Sequence, residues 1–238
     1  MTRPVVWVTR TADGAGTTAR AVEAKGYEAI CASVLKVVPL TPEIDPQSFD
    51  TVIFTSRNAV KAFCAVCARR TVAAYCVGDA TAEAATDARF HTMVNAHGDI
   101  DALYALLQKE ADRARRLLYA APKAPAAPLT QWLRADGFQV NEVAVYETCE
   151  VEPVLPAADL ARLTHVLIHS ARAGKAAAQF LMTHHNKIAF KNLTFVCISE
   201  AAWQAVRGTL AAEGSADVPL HRIADFPDEA AMLQRLEA

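Results

Sequence analysis

Thr51–Val60 reads TVIFTSRNAV, an apolar run that stops at a threonine, a serine, an arginine and an asparagine and then starts a helix. His165–Gly174, HVLIHSARAG, nearly repeats it. A short apolar run bounded by polar residues predicts a buried strand, and a serine just ahead of a helical segment predicts an N-cap. A strand feeding a helix through a capping serine, twice, is the signature of an α/β fold with parallel strands.

Read outward from these junctions, short apolar runs alternate with alanine-rich amphipathic ones. PVVWVT predicts a strand, GTTARAVEAKG a helix closed by Gly26 at its C′ position, and YEAICASVLKVV one continuous second strand. After a loop containing Pro39, Pro42 and Pro46, the strand at Thr51–Thr55 leads into a helix reaching about Arg69. VAAYCVG and DATAEAATDA, HTMVNA and DIDALYALLQKEADRA, and RRLLYAA and PLTQWLRADG predict three further strand–helix units, and FQVNEVAVYETCEVE a long strand. The rest cycles again: strands at His165, Leu193 and His221, with helices from Ala171, Glu200 and Asp228.

Laid side by side, these elements repeat. VVWVTR…AVEAKGYEAICASVLK matches LLYAAP…QWLRADGFQVNEVAVYE without a gap, with Gly26 on Gly137, Tyr27 on Phe138 and Val34 on Val145. TVIFTSRNAVKAF, YCVGDATAEAA and DIDALYALL match HVLIHSARAGKAA, VCISEAAWQAV and DEAAMLQRL. The chain thus reads A, B, A′, B′, where A is strand–helix–strand and B is three strand–helix units. Five parallel strands with covering helices make one flavodoxin-like sheet, and two such domains fit 238 residues. The repeat alone leaves open whether A pairs with B or with B′.

Composition narrows the function classes. At 53% hydrophobic residues the chain can bury sizeable cores, and a net charge of −2 with pI near 6.4 argues against a nucleic-acid surface. No apolar run is long enough to span a membrane, and MTRPVVWVTR turns polar too soon for a signal peptide, so a cytoplasmic protein is expected. The six cysteines are scattered through apolar stretches as small buried hydrophobes. Cys64 and Cys67 form a CxxC, which reads as mid-helix and predicts neither redox nor zinc chemistry. His165 and His169 flank an apolar strand on one face with no carboxylate or cysteine at ligand spacing, and His184–His185 predicts a solvated loop. No metal site is expected.

In parallel α/β sheets ligands bind beyond the carboxyl ends of the strands, where helices begin. A helix start carries unpaired N–H groups and partial positive charge, which suit an anion. Six such mouths are predicted: Thr9–Arg10–Thr11, Thr55–Ser56–Arg57–Asn58, Gly78–Asp79–Ala80–Thr81, Ala121–Pro122–Lys123, Ser170–Ala171–Arg172 and Ser199–Glu200. Arg10, Arg57, Lys61, Lys123, Arg172 and Lys175 add mobile charge near them. Together they fit a polyanionic ligand.

VIFTSRNAV, YCVGDATAEAA, LLYAAPKAP…LTQWLRADGFQVNEVAVYET, HVLIHSARAG and FVCISEAAWQAV, in this order, resemble the uroporphyrinogen-III synthase family over essentially the whole chain. The resemblance implies two flavodoxin-like domains joined by a two-strand hinge. Domain one would be 1–37 plus 149–238 and domain two 38–148, pairing A with B′ and B with A′. KVVPLTP and VYETCEVE would be the two crossings. It implies cyclisation of the linear tetrapyrrole hydroxymethylbilane to uroporphyrinogen III, with loss of water and inversion of ring D. It also implies no cofactor, a monomer, and passing contact with the enzyme that supplies the substrate. Tyr146, in the V-Y-E-T segment, is the implied hydrogen-bond donor to the departing hydroxyl. Arg10, Thr55, Ser56, Arg57, Asn58, Gly78, Thr81, Lys123, Ser170, Arg172 and Ser199 are the expected contacts to the eight substrate carboxylates. The chain departs from the family pattern at Ala202, where VGDAT has Thr81, and in the strand LLYAAPKAP, which lacks a glycine at its end. Asp79 and Glu200 also set negative charge where an acidic substrate would dock.

Two rivals share part of this pattern. Gly14 and Gly16 resemble the start of a dinucleotide fingerprint, but they lie too far past the strand, and no acidic residue ends the second strand. A non-catalytic two-lobed binding protein for an anionic small molecule would show an export signal or a DNA-binding headpiece, and the sequence shows neither.

Overall fold

The computed structural model describes residues 3–184, 190–215 and 219–237. The chain folds into two compact units: unit 1, Met1–Lys36 with Cys149–Ala238, and unit 2, Val37–Thr148.

Unit 1 contains β1 (Val5–Val8), α1 (Ala12–Ala24), β2 (Glu28–Cys31), α6 (Ala157–Leu160), β9 (Leu163–Ile168), α7 (Ala171–Thr183), β10 (Thr194–Cys197), α8 (Glu200–Ala212), β11 (Leu220–Ile223) and α9 (Glu229–Gln234). Its sheet runs β11-β10-β9-β1-β2 with every neighbour parallel. Numbered from its first strand, that is the flavodoxin order 2-1-3-4-5. Two clusters cover its faces. One gathers Trp7, Val166, Phe195 and Trp203 with α7 and α8, and the other Val6, Val8, Val22 and Met232 with α1 and α9.

Unit 2 contains β4 (Thr51–Phe54), α2 (Arg57–Val66), β5 (Ala73–Cys76), α3 (Asp79–Asp87), β6 (Thr92–Asn95), α4 (Ile100–Glu110), β7 (Arg116–Pro122) and α5 (Leu129–Ala135). Strands β3 (Leu35–Pro39) and β8 (Gln139–Glu150) complete its sheet, ordered β3-β8-β7-β4-β5-β6. Setting β3 aside, β8-β7-β4-β5-β6 repeats the order of unit 1 with its halves exchanged along the chain. A pairs with B′ through β1 and β9, and B with A′ through β4 and β7. None of the described helices is long and apolar enough to cross a membrane.

The register makes the two units comparable residue by residue. Val5↔Glu28 through Val8↔Cys31 has the spacing of Arg116↔Gln139 through Tyr119↔Glu142. Val6↔His165 likewise parallels Leu117↔Thr51. Arg116 is therefore the counterpart of Val5, one residue earlier than the match of VVWVTR onto LLYAAP. By the same offsets in sequence, Arg10 falls on Ala121, Leu35 on Tyr146, and His169 on Thr55. Gly26 and Gly137 follow α1 and α5 with φ of +87° and +84°, the left-handed position that ends a helix.

Three expectations are corrected. The second strand is not continuous: it breaks at Ala32–Val34, where the Trp7 indole donates to the Ala32 carbonyl at 2.7 Å and the Ser33 hydroxyl to the Arg10 carbonyl. Helix α2 stops at Val66, so Cys67 is its extended C-cap rather than mid-helix, and Arg70 donates to the Cys67 carbonyl at 2.6 Å. His184 is half-buried, its ring tilted 40° against Phe180 with centroids 4.4 Å apart, while His185 lies outside the described residues.

Candidate active site

The carboxyl edge of unit 2 begins with the junction that opens the sequence. β4 is buried along its whole length, and Ser56 caps α2 in extended backbone, accepting the Ala59 N–H at 3.1 Å. That geometry holds the serine hydroxyl at the strand end, with the first turn of α2 open to an anion. Arg57 is exposed there and Asn58 half-buried.

Tyr146 reaches this serine from β8. Its hydroxyl lies 3.0 Å from Ser56 Oγ, across 90 residues of sequence, and the residue is 7% exposed. The β7–β8 register slips between Ala121 and Pro122, setting Tyr146 opposite Pro122, which has no N–H to give. Lys123 supplies the missing bond, its N–H donating to the Tyr146 carbonyl at 2.8 Å. Such irregularities re-aim side chains beside functional sites. Either hydroxyl can donate in this pair; Ser56 Oγ, already accepting from Ala59, has a proton to give the phenol oxygen, and in that arrangement the Tyr146 O–H is left for a ligand.

A second phenol stands beside the first. The Tyr119 hydroxyl is 3.2 Å from Thr55 Oγ1. Burial raises the Tyr119 pKa, the Thr55 hydrogen bond opposes that shift, and nearby Glu142 and Tyr146 add to it. Lys123 is exposed, and its ammonium meets Glu147 at 2.8 Å. Gly78 starts α3 in extended backbone without a side-chain cap. Thr81 is buried, 5% exposed. Asp79 accepts from Asn95 and lies against His97, each at 2.7 Å, and these bonds hold its carboxyl below the usual range.

Unit 1 repeats the caps without the phenols. Ser170 accepts the Ala173 N–H at 3.1 Å and Ser199 the Ala202 N–H at 3.3 Å, opening α7 and α8. Arg172 is exposed beside Ser170, and Glu200 accepts from Gln204 at 2.6 Å. Arg10 departs from its expected place as an open contact: its guanidinium is ion-paired to Glu229, at the start of α9. Thr9 is buried, its hydroxyl donating to the Leu167 carbonyl at 2.7 Å. The structure thus brings Thr55, Ser56, Lys123 and Tyr146 together in unit 2 and holds Ser170 and Ser199 as caps in unit 1. Tyr119, Glu147 and Glu229 belong to these clusters without having been singled out. Tyr119, in the quoted LLYAAPKAP, was the one with a sequence signal, a phenol two residues from a strand end.

The family model for uroporphyrinogen-III synthase HemD matches residues 16–232. No curated protein gives a significant match. The fold is similar to the crystal structure of uroporphyrinogen-III synthetase from Helicobacter pylori, at 20% identity over 99% of each chain with a TM-score of 0.66. It is also similar to a mutant uroporphyrinogen III synthase from Thermus thermophilus, at 12% identity over 98% of this chain and 97% of that one, with a TM-score of 0.53.

Proposed function

The chain belongs to the uroporphyrinogen-III synthase family, and from that premise we propose that the carboxyl edge of unit 2 holds the reacting end of hydroxymethylbilane. The family's reaction is a cyclising elimination of water from that substrate. The observation that carries the reading is the hydrogen bond between Ser56 and Tyr146 beside a capped helix start.

In this reading the Tyr146 phenol donates to the hydroxymethyl oxygen as it leaves, while Ser56 donates to the phenol oxygen and steadies it. The azafulvene so formed is attacked by the substituted carbon of ring D. The spiro intermediate fragments and recloses with that ring inverted, and the proton displaced on rearomatisation balances the one given up. Electron-rich pyrroles drive these steps, so the protein contributes mainly by holding the chain in the bend that favours inversion. The free amides of α2 and α3, with Arg57, Asn58 and Lys123, take carboxylates of the substrate. The capped starts of α7 and α8, with Arg172, take others, each contact contributing about 0.3–1 kcal/mol. Arg10 joins them once it is released from Glu229. We extend the proposal to two domains at 1–37 plus 149–238 and 38–148, and to a cytoplasmic monomer meeting its supplying enzyme in passing. Six cysteines without a disulfide suit a reducing compartment.

The test supplies freshly made hydroxymethylbilane and resolves the oxidised products by isomer. Type III product above the spontaneous rate is expected. Type I alone, at the uncatalysed rate, overturns the reading.

A further inference from the structure

One polar side chain of unit 1 plays no part in the reaction just described. His169 follows β9, one residue before the Ser170 cap, and both of its ring nitrogens are buried without a hydrogen-bond partner among the described residues. A neutral imidazole always has one N–H to satisfy, and buried polar groups left alone are few in native structures. Its counterpart Thr55 is satisfied by Tyr119, whereas the counterpart of Tyr119 is Val8, which offers His169 nothing.

Two charged groups that act on the imidazole, Arg10 and Glu229, belong to a built cluster. Arg10 Nη1 donates to Glu229 and lies 3.3 Å from Thr18 Oγ1. The Thr18 hydroxyl also reaches the Glu229 carboxylate, and the Gly14 carbonyl at 3.1 Å. A Cβ on Gly14 would come within 2.6 Å of Arg10 Nε, so α1 carries a glycine where the guanidinium lies against it. A glycine inside a helix is less favourable than alanine, and here it makes room for Arg10. The charged groups acting on His169 are Arg10, from the end of β1, and Glu229, from the start of α9, and they act with opposite sign. Burial, aided by Arg10, pushes its pKa down to about 4, while Glu229 pulls it up.

We propose that Arg10, Glu229 and His169 form a carboxylate exchange: a ligand carboxylate takes the guanidinium, and the displaced Glu229 passes to His169, which takes up a proton from solvent. No covalent bond changes, and the cluster is neutral before and after. Without the proton, the exchange would strand a half-buried carboxylate with no cation, which is strongly unfavourable. The orphan imidazole is the waiting partner. This rests on the proposal that Arg10 meets a substrate carboxylate, and it adds that binding at unit 1 is coupled to proton uptake.

Calorimetry with uroporphyrinogen III, kept anaerobic, in two buffers of different ionisation enthalpy at about pH 6 reads the proton directly. The wild type is expected to take up close to one proton per molecule bound. His169→Thr, which installs the unit 2 residue, abolishes uptake and raises KM about threefold to tenfold. Glu229→Gln also abolishes uptake but lowers KM, because Arg10 loses its internal competitor. Those opposite KM shifts are what a merely structural cluster would not produce. Should His169→Thr fail to fold, His169→Gln serves in its place. Binding without proton uptake, uptake that survives in the histidine variant, or KM raised alike by both variants overturns the exchange. A wild type that makes no type III product overturns the functional reading instead, so the two failures are distinguishable.

Discussion

Units 1 and 2 are the same sheet built twice, and they differ where the sheet ends. Unit 1 runs 2-1-3-4-5 and unit 2, with β3 set aside, its chain-permuted equivalent 5-4-1-2-3, and both open the helix after the central junction with a serine, Ser56 or Ser170, that accepts the N–H of the residue three on at 3.1 Å. What each sets beside that serine is different. Unit 2 has two phenols, Tyr146 on Ser56 and Tyr119 on Thr55. Unit 1 has Leu35 and Val8 at those positions, and in their place an ion pair beside a buried histidine. The cap and the open amides come with the fold. The groups that distinguish the units are those to which chemistry can be assigned.

Tyr146→Phe presses hardest on that comparison. Removing one of the two phenol hydroxyls that unit 1 lacks should lower kcat by about 10- to 100-fold, at the low end of general-acid effects, with the thermal midpoint held within about 3 °C. Steady-state kinetics beside a melting curve check it. Unchanged kcat removes the catalytic assignment and leaves the two edges equivalent.

Acid should separate the units next. Burial pushes His165 and His169, both in unit 1, down to about 4. Their folded pKa lies below the unfolded one, so as pH falls the unfolded chain takes up protons first. Stability is therefore lost from about pH 6.5 downward and fully lost below about 4. In unit 2 the groups with lowered pKa are carboxylates, so the same kind of loss comes only at lower pH. Asp50 is held far below the usual range by Arg116, Asp136 is lowered by Tyr104 and Gln108, and Asp79 by Asn95 and His97. Their contribution persists above the unfolded carboxylate pKa and fades only as pH drops through the folded values. Between pH 6.5 and 4.5, unit 1 alone should weaken, its melting midpoint falling by at least about 5 °C. Trp132→Phe leaves Trp7 and Trp203 as reporters of unit 1. If their transition tracks the whole-chain circular dichroism at every pH, the units are not separable in this way.

How much of this was legible follows the same division. Strands and caps are local: an apolar run into Ser-x-x announces itself within ten residues, so Ser56, Ser170 and Ser199 were readable. The break at Ala32–Val34 was not, because its cause is the Trp7 indole, 25 residues away. Nor was the burial of Thr81, since a threonine in the first turn of a helix has the same letters whether it faces ligand or core. The pairing of Arg10 with Glu229 spans 219 residues, and the Ser56–Tyr146 bond spans 90. Only the family resemblance pointed at Tyr146, and nothing pointed at its pairing with Ser56. Contacts that give the edge its chemistry are the long-range ones, which composition and spacing do not encode.

The caps themselves give a finer contrast. Ser56→Ala and Ser170→Ala each remove one N-cap bond and should each cost about 1 kcal/mol of stability. Only Ser56→Ala also frees the Tyr146 hydroxyl from its support, so it alone should lower kcat, by about threefold to tenfold. Denaturant midpoints and turnover, measured on both variants, check the pair. Equal kinetic losses would mean that both serines act only as caps, and that Ser56 lends Tyr146 nothing.

The smallest effect concerns charge. Arg10 and Lys123 both stand near strand ends and both are matched internally, by Glu229 and Glu147. Arg10 is seated against α1, whereas Lys123 is exposed, and an exposed pair contributes little and is screened by salt. A substrate carboxylate should therefore draw Lys123 from Glu147 at small cost, with no proton involved, whereas the same event at Arg10 needs one. Lys123→Ala should raise KM about twofold at low salt, and the difference should fade as ionic strength approaches about 0.3 M. A salt-independent rise would mean that Lys123 acts through the packing of its side-chain stem rather than through its charge, since the variant keeps the backbone bond to Tyr146. The contrast between a fixed and a mobile cation would then disappear.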